Sequence, residues 1–334
     1  ARVSAERASG AFAAFGPTDP GRAEVVSLQA YAILLLAENY CSGVPLSNVD
    51  TATAVVENGT PLTTQALLGV AADTFTAALT FAVDANRHYL AEVGKARTLQ
   101  FEGRSHLAEA ALLVQDVPTG WTYKIEHSKN SQHQWNGVYE FMWLEGRWIE
   151  ADTEGVNGLR YRDDPRNPAS DQGSTFIGNG SVQFWGTLRY SAPDSATVLA
   201  SGIEARLIEA EAALEANNNA LFLKKLNDLR DSSGIAGLAP LADPGTVTGR
   251  QDLLFSERGQ WLYLTDHRLG DLRRLSRSTA NDGYGRDPES VFPTGSWYRG
   301  GVYGSDTNFP IPIEELNNPN VPGPAPNTCL DRNP

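Results

Sequence analysis

Two paired runs of helix-forming residues with small side chains constrain the fold of this chain most strongly. The first pair covers His88–Phe101 and Arg104–Gln115 and is interrupted at Glu102-Gly103. In the second of these runs, apolar residues recur at positions i, i+3, i+4 and i+7, which is the spacing of one helix face. Small residues such as Gly94 and Ala108 let two helices approach closely. This pair therefore predicts an antiparallel helical hairpin.

A second helical hairpin is predicted further along the chain. An apolar stripe follows one face of Gly202–Ala216 and resumes over Phe222–Leu229, after a turn at Asn217–Asn219. Both hairpins resemble those of tetratricopeptide repeats. Two hairpins are too few to establish a repeat array.

The remaining segments complete a mainly α prediction. Ala- and Leu-rich runs predict helices at Gly21–Tyr40 and Thr64–Val83, and a helical pattern returns over Gln251–Ser276. Short aromatic and polar stretches broken by Gly, Asn and Pro are typical of an irregular insert with few short strands. We expect one compact domain with helical hairpins and an irregular, loop-rich capping region. Its segments are 1–119 (N-terminal hairpins), 120–201 (the insert), 202–278 (C-terminal hairpin and following helices) and 279–334 (loop-rich).

The charge balance excludes one class of partner. Asp and Glu number 40 against 27 Lys and Arg, which gives a net charge of −13. Binding to a phosphate backbone needs clustered basic residues, so nucleic acid is not an expected partner. No run approaches the roughly 18 consecutive apolar residues of a membrane span.

The two cysteines indicate whether the protein lies in a reducing or an oxidising compartment. Cys41 and Cys329 would be two separate thiols in a reducing cytosol, whereas outside the cell they could close a loop of almost the whole chain. We favour the disulfide. The sequence begins at Ala1 without an initiator Met, so we expect that a secretion signal has been removed and that any lipid-anchor Cys lies upstream.

Catalytic and metal-binding motifs are not found. The sequence has no G-x-S-x-G elbow, no H-E-x-x-H and no P-loop, so we predict a non-catalytic protein without a cofactor. His127 and His133 lie in a polar segment and are interpreted as solvated or hydrogen-bonded rather than as metal ligands. The acidic stretch Asp152–Asp164 could supply oxygen ligands to Ca²⁺, but its spacing favours a turn. The sequons at Asn58 and Asn179 are likewise interpreted as turns, and the sequence leaves their glycosylation open.

Aromatic residues in the late loop are the candidate ligand-binding residues. Tyr284, Trp297, Tyr298 and Tyr303 lie among many glycines, so some of their rings should reach the surface. A sugar packs one face on an aromatic ring while its hydroxyls form hydrogen bonds. The alternative is that these rings only attach the loop to the body of the protein.

Alternating charges mark the segment from Ser256 to Leu275. Glu257, Arg258, Asp271 and Arg273 belong to this pattern, which is otherwise apolar and helical. We interpret it as a helix face carrying ion pairs at spacings of three and four residues.

Three stretches in a fixed order carry a resemblance to a known family. They are Glu204–Asn218 with Phe222–Arg230, then Ser256–Leu275, and then Asn308–Asn320. The last contains Phe309, Pro310, Ile311 and Pro312 before an acidic pair. In this order they resemble the SusD/RagB family of outer-membrane nutrient-binding lipoproteins. The resemblance spans most of residues 21–320.

The resemblance implies a function and a partner. Family members form a lid on a TonB-dependent outer-membrane barrel and capture glycans or other oligomeric nutrients, such as peptides, at the cell surface. The chain is short for the family, and the capping region is correspondingly reduced. A second hypothesis is therefore an extracellular structural protein that self-associates into filaments or a surface layer on the same helical scaffold.

Overall fold

The computed structural model describes residues 1–50, 53, 55–150, 154, 158–175, 183–296, 301–321 and 329–332. Helices make up most of its regular structure, and the mainly α prediction is confirmed. The chain divides into two compact units. Unit 1 is Ala1–Val117, Leu269–Pro288 and Ser296–Pro334, and unit 2 is Pro118–Arg268 and Glu289–Gly295.

The helices range from one turn to five turns in length. In chain order they are α1 (Arg2–Phe15), α2 (Gly21–Asn39), α3 (Thr64–Phe81), α4 (Ala85–Glu102), α5 (Leu107–Leu113), α6 (Gly137–Tyr139), α7 (Gly202–Glu215), α8 (Asn219–Ser232), α9 (Val247–Trp261), α10 (Arg268–Ser276) and α11 (Pro288–Val291). Short 3-10 turns cover Arg104–His106, Gln132–Gln134, Thr279–Asn281 and Ile313–Asn317, and one π-helical turn covers Glu140–Leu144.

The strands are short and pair antiparallel, two by two. They are β1 (Val44–Pro45), β2 (Asn48–Val49), β3 (Val56–Glu57), β4 (Pro61–Leu62), β5 (Thr122–Ile125), β6 (Ala169–Thr175), β7 (Gln183–Thr187) and β8 (Thr197–Ser201). β1 pairs with β4, β2 with β3, β5 with β8, and β6 with β7. Within the described residues no helix is long and apolar enough to cross a membrane.

The helices of unit 1 pack around α2 and α4. α2 contacts α1, α3 and α4, and α4 also contacts α3 and α5, so the predicted pairing of residues 88–101 with residues 104–115 is present. Gly94 of α4 lies directly against the rings of Phe75 and Tyr31, and a Cβ there would come within 2.8 Å of the Tyr31 ring. Only glycine permits this approach, because any side chain would separate the three helices.

Local capping determines where these helices begin. The Thr63 side chain accepts a hydrogen bond from the Ala66 amide at the start of α3, and Asp84 accepts one from the Arg87 amide at the start of α4. Such caps satisfy amide groups that have no acceptor inside the helix. The helix boundaries therefore follow from residues next to the apolar runs.

A segment near the end of the chain is joined to the end of α2 in unit 1. The Cys41 amide donates to the Phe309 carbonyl at 2.8 Å, and the Ser42 amide donates to the Asp331 carbonyl at 3.0 Å. Cys41 and Cys329 form a disulfide, as the sequence predicts, across a separation of 288 residues. Cys41, at the end of α2, is itself fully buried.

Unit 2 contains the second predicted hairpin. α7 packs against α8 and also contacts α9. Ser201 caps α7 by accepting a hydrogen bond from the Glu204 amide, and Asn218 caps α8 through the Leu221 amide. β5 and β8 lie side by side although more than 70 residues separate them in the sequence.

Two parts of the helical prediction differ from the structure. Gln251–Ser276 is not one helix, because residues 262–267 separate α9 from α10. Leu264 and Asp266 in this break adopt positive φ angles of 55° and 61°, which a helix cannot contain. The N-terminal helix α1 is not indicated by the sequence pattern, and it has no buried residue among those that the structure describes.

Candidate functional site

A polar cavity of about 580 Å³ lies in the insert of unit 2. The described residues that line it come from one stretch of chain, which follows strand β5 directly in the sequence. The lining residues are Glu126, His127, Ser128, Asn130, His133, Gln134 and Trp135. Its volume is within the range of about 300–1,000 Å³ that is typical of small-molecule pockets.

Backbone hydrogen bonds fold this stretch into a closed loop. The Ser128 amide donates to the Gln134 carbonyl at 3.0 Å, and the Gln134 amide donates to the Ser131 carbonyl at 2.8 Å. One ring nitrogen of His127, Nε2, lies 3.0 Å from Oγ1 of Thr197 on β8. The pairing of β5 with β8 thus holds one end of the loop in place.

Asn136 fixes the other end of the loop. Its side chain donates to the Ser195 carbonyl at 2.9 Å and accepts hydrogen bonds from the amides of Val138 and Tyr139. The Asn136 amide donates to the Pro193 carbonyl at 2.8 Å. Because Asn136 is buried and fully engaged, the preceding residue, Trp135, has a defined position.

Trp135 is the aromatic residue among the described residues that line the cavity. Its ring lies 6.1 Å from that of Tyr139 in an edge-to-face arrangement, at an interplanar angle of 77°. Within the described part of the chain, the buried indole Nε1 has no hydrogen-bond acceptor. A buried indole N–H normally finds a partner. Nε1 is shielded from solvent, so the Trp135 ring must shift slightly before this donor can reach a ligand oxygen.

The lining combines one aromatic ring with donors and acceptors of hydrogen bonds. Imidazole, hydroxyl, amide and carboxylate groups surround Trp135, which suits a ligand that is apolar on one face and carries many hydroxyls. Glu126 is the one carboxylate among the described lining residues.

The aromatic residues predicted from the late loop have different environments. Tyr284 is buried at 9% exposure, and the Arg104 guanidinium lies 5.0 Å from its ring centre. Tyr303 is exposed at 42%. Trp297 and Tyr298 lie outside the described residues. Of this set, therefore, Tyr303 is the residue that the structure shows with an accessible ring.

Glu257 lies at the centre of a buried ion-pair network in unit 2. It accepts hydrogen bonds from Arg166 Nη1 at 2.8 Å and from Arg230 Nη2 at 2.5 Å. Arg166 also donates to Asp164 at 2.6 Å. Burial opposes ionisation of Asp164, but the hydrogen bonds from Arg166 outweigh it and lower the pKa of the Asp164 carboxyl. These pairs join separate elements and are not the helix-face pairs expected at Glu257.

Asp271 and Arg273 lie on the part of α10 that belongs to unit 1. Asp271 accepts a hydrogen bond from Arg274 at 2.7 Å, which is the predicted spacing of three residues. Arg273 instead donates to the carbonyls of Ala37 and Glu38 at the end of α2. Arg258 is buried on α9. These charged residues thus occupy interior positions.

The proline-rich stretch of the resemblance is partly exposed. Phe309 is 56% exposed and its ring lies 6.0 Å from that of Tyr40, whereas Ile311 is buried. Pro310 and Pro312 flank Ile311. Backbone hydrogen bonds between Phe309 and the end of α2 join this stretch to the helical core of unit 1.

The acidic stretch considered for Ca²⁺ lies partly outside the described residues. Its described carboxylates have basic partners: Glu154 accepts from Arg268 Nε at 2.7 Å, and Asp164 pairs with Arg166. Across the described ranges no group of three or more His, Cys, Asp or Glu could hold a metal ion.

The Trp135 cavity is not apparent from the sequence. The stretch from Glu126 to Gln134 has the composition of a solvated loop, which is also how the sequence pattern around His127 and His133 is interpreted. The signal that could have indicated a site is a single Trp at the end of a polar stretch rich in hydrogen-bonding side chains.

Comparison with solved structures identifies the fold. No protein-family model and no curated protein matches the sequence. A SusD superfamily protein from Parabacteroides distasonis aligns at a TM-score of 0.62 with 17% identity, over 90% of this chain and 77% of the other. A Bacteroidetes SusD-like protein aligns at 0.60 with 11% identity, over 95% and 82%. A SusD-like carbohydrate binding protein from Bacteroides fragilis aligns at 0.57 with 17% identity, over 89% and 78%.

Coverage differs among the matching structures. In eight SusD-like structures, this chain spans between 62% and 82% of the other chain. At such identities the likeness concerns the fold. The chain therefore has the SusD-like fold.

Proposed function

We propose that this chain is a non-catalytic carbohydrate-binding protein of the SusD/RagB type, and that an oligosaccharide binds in the Trp135 cavity. The observation that carries the proposal is the partly buried indole, whose Nε1 has no partner among the described residues, in a cavity lined by polar groups. The fold supports it, since one structure with this fold is described as a carbohydrate-binding protein.

The chemistry of the cavity matches a sugar more closely than an apolar ligand. A pyranose ring packs its C–H face on an aromatic plane, while its hydroxyls exchange hydrogen bonds with neighbouring side chains. His127, Asn130 and Gln134 can both donate and accept hydrogen bonds. Because the loop is held at both ends, little conformational freedom is lost when a ligand binds.

The partner and the location follow from the resemblance. A SusD-like protein of this kind would act at the outer surface of the outer membrane, as a lid on a TonB-dependent barrel that transports the captured oligomer. An oligopeptide is the other ligand class that the resemblance allows. Purification of a tagged chain from outer-membrane extract, followed by mass spectrometry, tests whether such a barrel accompanies it.

Two tryptophan variants test the proposed sugar site. A glycan array selects the oligosaccharide that binds most tightly, and calorimetry then measures its affinity for each variant. Trp135→Ala should weaken binding by about tenfold or more, because aromatic anchors contribute most of the binding free energy in such sites. Trp148→Ala is the matched control: Trp148 is half exposed in the same unit and packs on Phe141 at 4.9 Å.

The affinities of the variants test where the sugar binds, whereas the glycan array tests whether the chain binds carbohydrate. Equal affinities of Trp135→Ala and the wild type would place the sugar elsewhere, and the late-loop variants Trp297→Ala and Tyr303→Ala would then be measured. If the array shows no glycan binding at all, the carbohydrate proposal is wrong.

Self-assembly is the second candidate function. Several large apolar side chains in the last part of unit 1 are exposed: Val302 at 75%, Phe309 at 56% and Ile313 at 69%. Exposed apolar groups favour contact with another protein surface. Light scattering and electron microscopy of the purified chain decide between the candidates, since ordered polymers would support assembly and a monomer would support the binding protein.

A further inference from the structure

Unit 1 contains a second polar cavity, of about 530 Å³. Three stretches distant in the sequence meet there: the start of α3, the turn after α4, and the turn after α10. The end of the chain next to the disulfide completes the wall. The lining residues are Ser42, Thr63, Thr64, Gln65, Glu102, Ser105, His106, Arg277, Asn281, Asp282, Leu330 and Asp331.

Arg277 is the main unsatisfied group in this cavity wall. Its side chain is 94% buried, being 6% exposed, and Nη1 donates to the Phe101 carbonyl at 2.6 Å. Among the residues that the structure describes, neither Nε nor Nη2 has an acceptor. A buried guanidinium with two unused donors is costly, so these donors favour an added acceptor. Burial and the nearby Arg274 lower the pKa of Arg277 to about 10, and it still carries its charge at neutral pH.

The start of α3 adds further donors to the same cavity. Thr64 and Gln65 lie in the first helical turn, where backbone amides have no acceptor within the helix. The buried Thr64 Oγ1 also has no hydrogen-bond partner in the described ranges. The helix dipole favours negative charge at this end.

The acidic residues in the wall are partly engaged. Asp282 accepts hydrogen bonds from the Ser105 amide at 2.8 Å and from the Ser105 hydroxyl at 2.6 Å. Burial raises the pKa of the Glu102 carboxyl, and His106 Nδ1 lies 4.0 Å from it. The third acidic lining residue, Asp331, is exposed. The buried lining groups that have no partner in the described ranges are Arg277 Nε, Arg277 Nη2 and Thr64 Oγ1.

We infer that this cavity binds a small oxyanion group, either a carboxylate or a phosphate, with Arg277 and the start of α3 as its donors. Arg277 Nε and Nη2 present two parallel N–H groups, which match the two oxygens of such a group. Because these nitrogens are shielded from bulk solvent, side chains of the cavity wall must shift slightly when the anion enters. The site lies in unit 1 and does not depend on the sugar site in unit 2.

Titrations with small probes test the inference on the intact chain. Acetate and inorganic phosphate are added separately, and nuclear magnetic resonance follows the backbone amides of Thr64 and Gln65. Acetamide is the neutral control for acetate. We expect saturable shifts with acetate, phosphate or both, and the arm that saturates identifies the group. Shifts that do not saturate, or an equal response to acetamide, would overturn the inference.

Three variants assign the donors. Arg277→Gln should weaken anion binding by about tenfold or more, because it removes the charge and the paired donors. Thr64→Val keeps the side-chain shape, and should weaken binding by about threefold through loss of one hydroxyl. Arg250→Gln, which removes a half-buried arginine paired with Asp243 in unit 2, should leave it unchanged.

The test remains decisive if one of the variants does not fold. If Arg277→Gln fails to fold, Thr64→Val alone decides, and wild-type affinity in that variant contradicts the assignment. Trp135→Ala should bind the anion as the wild type does. Failure of the sugar site and failure of the anion site are therefore distinguishable.

Discussion

Glu38 of α2 and Arg97 of α4 form a doubly hydrogen-bonded ion pair inside unit 1, with Nε to Oε1 at 2.7 Å and Nη2 to Oε2 at 2.5 Å. Both side chains are almost completely buried. The pair joins two helices that are also linked by the Tyr31 hydroxyl, which donates to the Leu90 carbonyl at 3.1 Å, so it helps to fix their relative position along the helix axes.

Removal of one member of this pair should destabilise the protein strongly. Glu38→Gln leaves the Arg97 charge buried without its counter-charge, and we expect a loss of about 3–5 kcal/mol in the free energy of unfolding. Urea denaturation measures it. The double variant Glu38→Gln/Arg97→Met should recover part of the loss, because no uncompensated charge remains. A single variant as stable as the wild type would contradict this expectation.

Substitution of Glu257 should likewise lower the free energy of unfolding, in this case through unit 2. It balances Arg166 and Arg230, so Glu257→Gln leaves two guanidinium groups next to a neutral amide. We expect a loss of about 3 kcal/mol in the free energy of unfolding. Lys224→Ala, which breaks an exposed helix pair with Asp228, should cost less than about 0.5 kcal/mol in the same urea measurement. Similar losses in both variants would contradict the central role of Glu257.

Glu150 should make stability decrease as pH rises. Its carboxyl is 1% exposed, neither oxygen has a hydrogen-bond partner in the described part of the chain, and burial raises its pKa from 4.5 to about 7 although Arg162 opposes this. The folded state then holds a proton that the unfolded state releases. The protonated carboxyl therefore contributes fully to the free energy of unfolding below about pH 4.5, and this contribution is lost as pH rises to about 7.

Substitution of Glu150 tests this pH dependence. Glu150→Gln removes the titrating group, so the variant should gain stability relative to the wild type between pH 4.5 and 7, by up to about 3 kcal/mol. Thermal unfolding across this range measures the difference. Glu126→Gln removes an exposed carboxylate and is the control. A difference from the wild type that does not change with pH would exclude Glu150 as its source.

The disulfide should contribute to stability through the length of its loop. Cys41 and Cys329 are 288 residues apart, and in the entropic model closing so long a loop destabilises the unfolded chain by about 6 kcal/mol. Cys41→Ser/Cys329→Ser should therefore lower the melting temperature by several degrees. Mass spectrometry after alkylation without reductant checks the bond itself, and two labelled thiols would show that it does not form.

Helices with buried apolar faces can be predicted closely from the sequence. The pattern predicts Gly21–Tyr40 where α2 is Gly21–Asn39, and it predicts Gly202–Ala216 where α7 is Gly202–Glu215. These helices combine a periodic apolar face with a cap or turn at the ends, so local sequence determines them. α1 is not predicted, and among its described residues none is fully buried.

The break between α9 and α10 could not be predicted because it depends on tertiary contacts. Residues 262–267 contain no Gly or Pro, yet Leu264 and Asp266 adopt positive φ angles. The Tyr190 hydroxyl donates to the Leu264 carbonyl at 3.0 Å and so supports this conformation from a distant part of unit 2. A local sequence pattern does not contain that information.

The candidate site could not be predicted for a similar reason. In the sequence, Trp135 and the polar residues before it have the composition of a solvated loop. In the structure, the pairing of β5 with β8 and the hydrogen bonds of Asn136 to residues 193–197 hold them in place. These contacts bridge about 60 residues or more, so spacing along the chain does not reveal the cavity. The disulfide, in contrast, is accessible to prediction because only two cysteines exist.

The arrangement of unit 1 along the chain also governs the order in which the protein can fold during synthesis. The last carbonyls of α2 accept hydrogen bonds from Arg273, and Cys41 has no disulfide partner until Cys329 has been made. Most of unit 2, in contrast, is one continuous stretch from Pro118 to Arg268. During synthesis, therefore, a complete α7–α8 hairpin leaves the ribosome while the first 117 residues still lack the segments that complete unit 1. Until then, the first helices of the chain are exposed to chaperones and proteases.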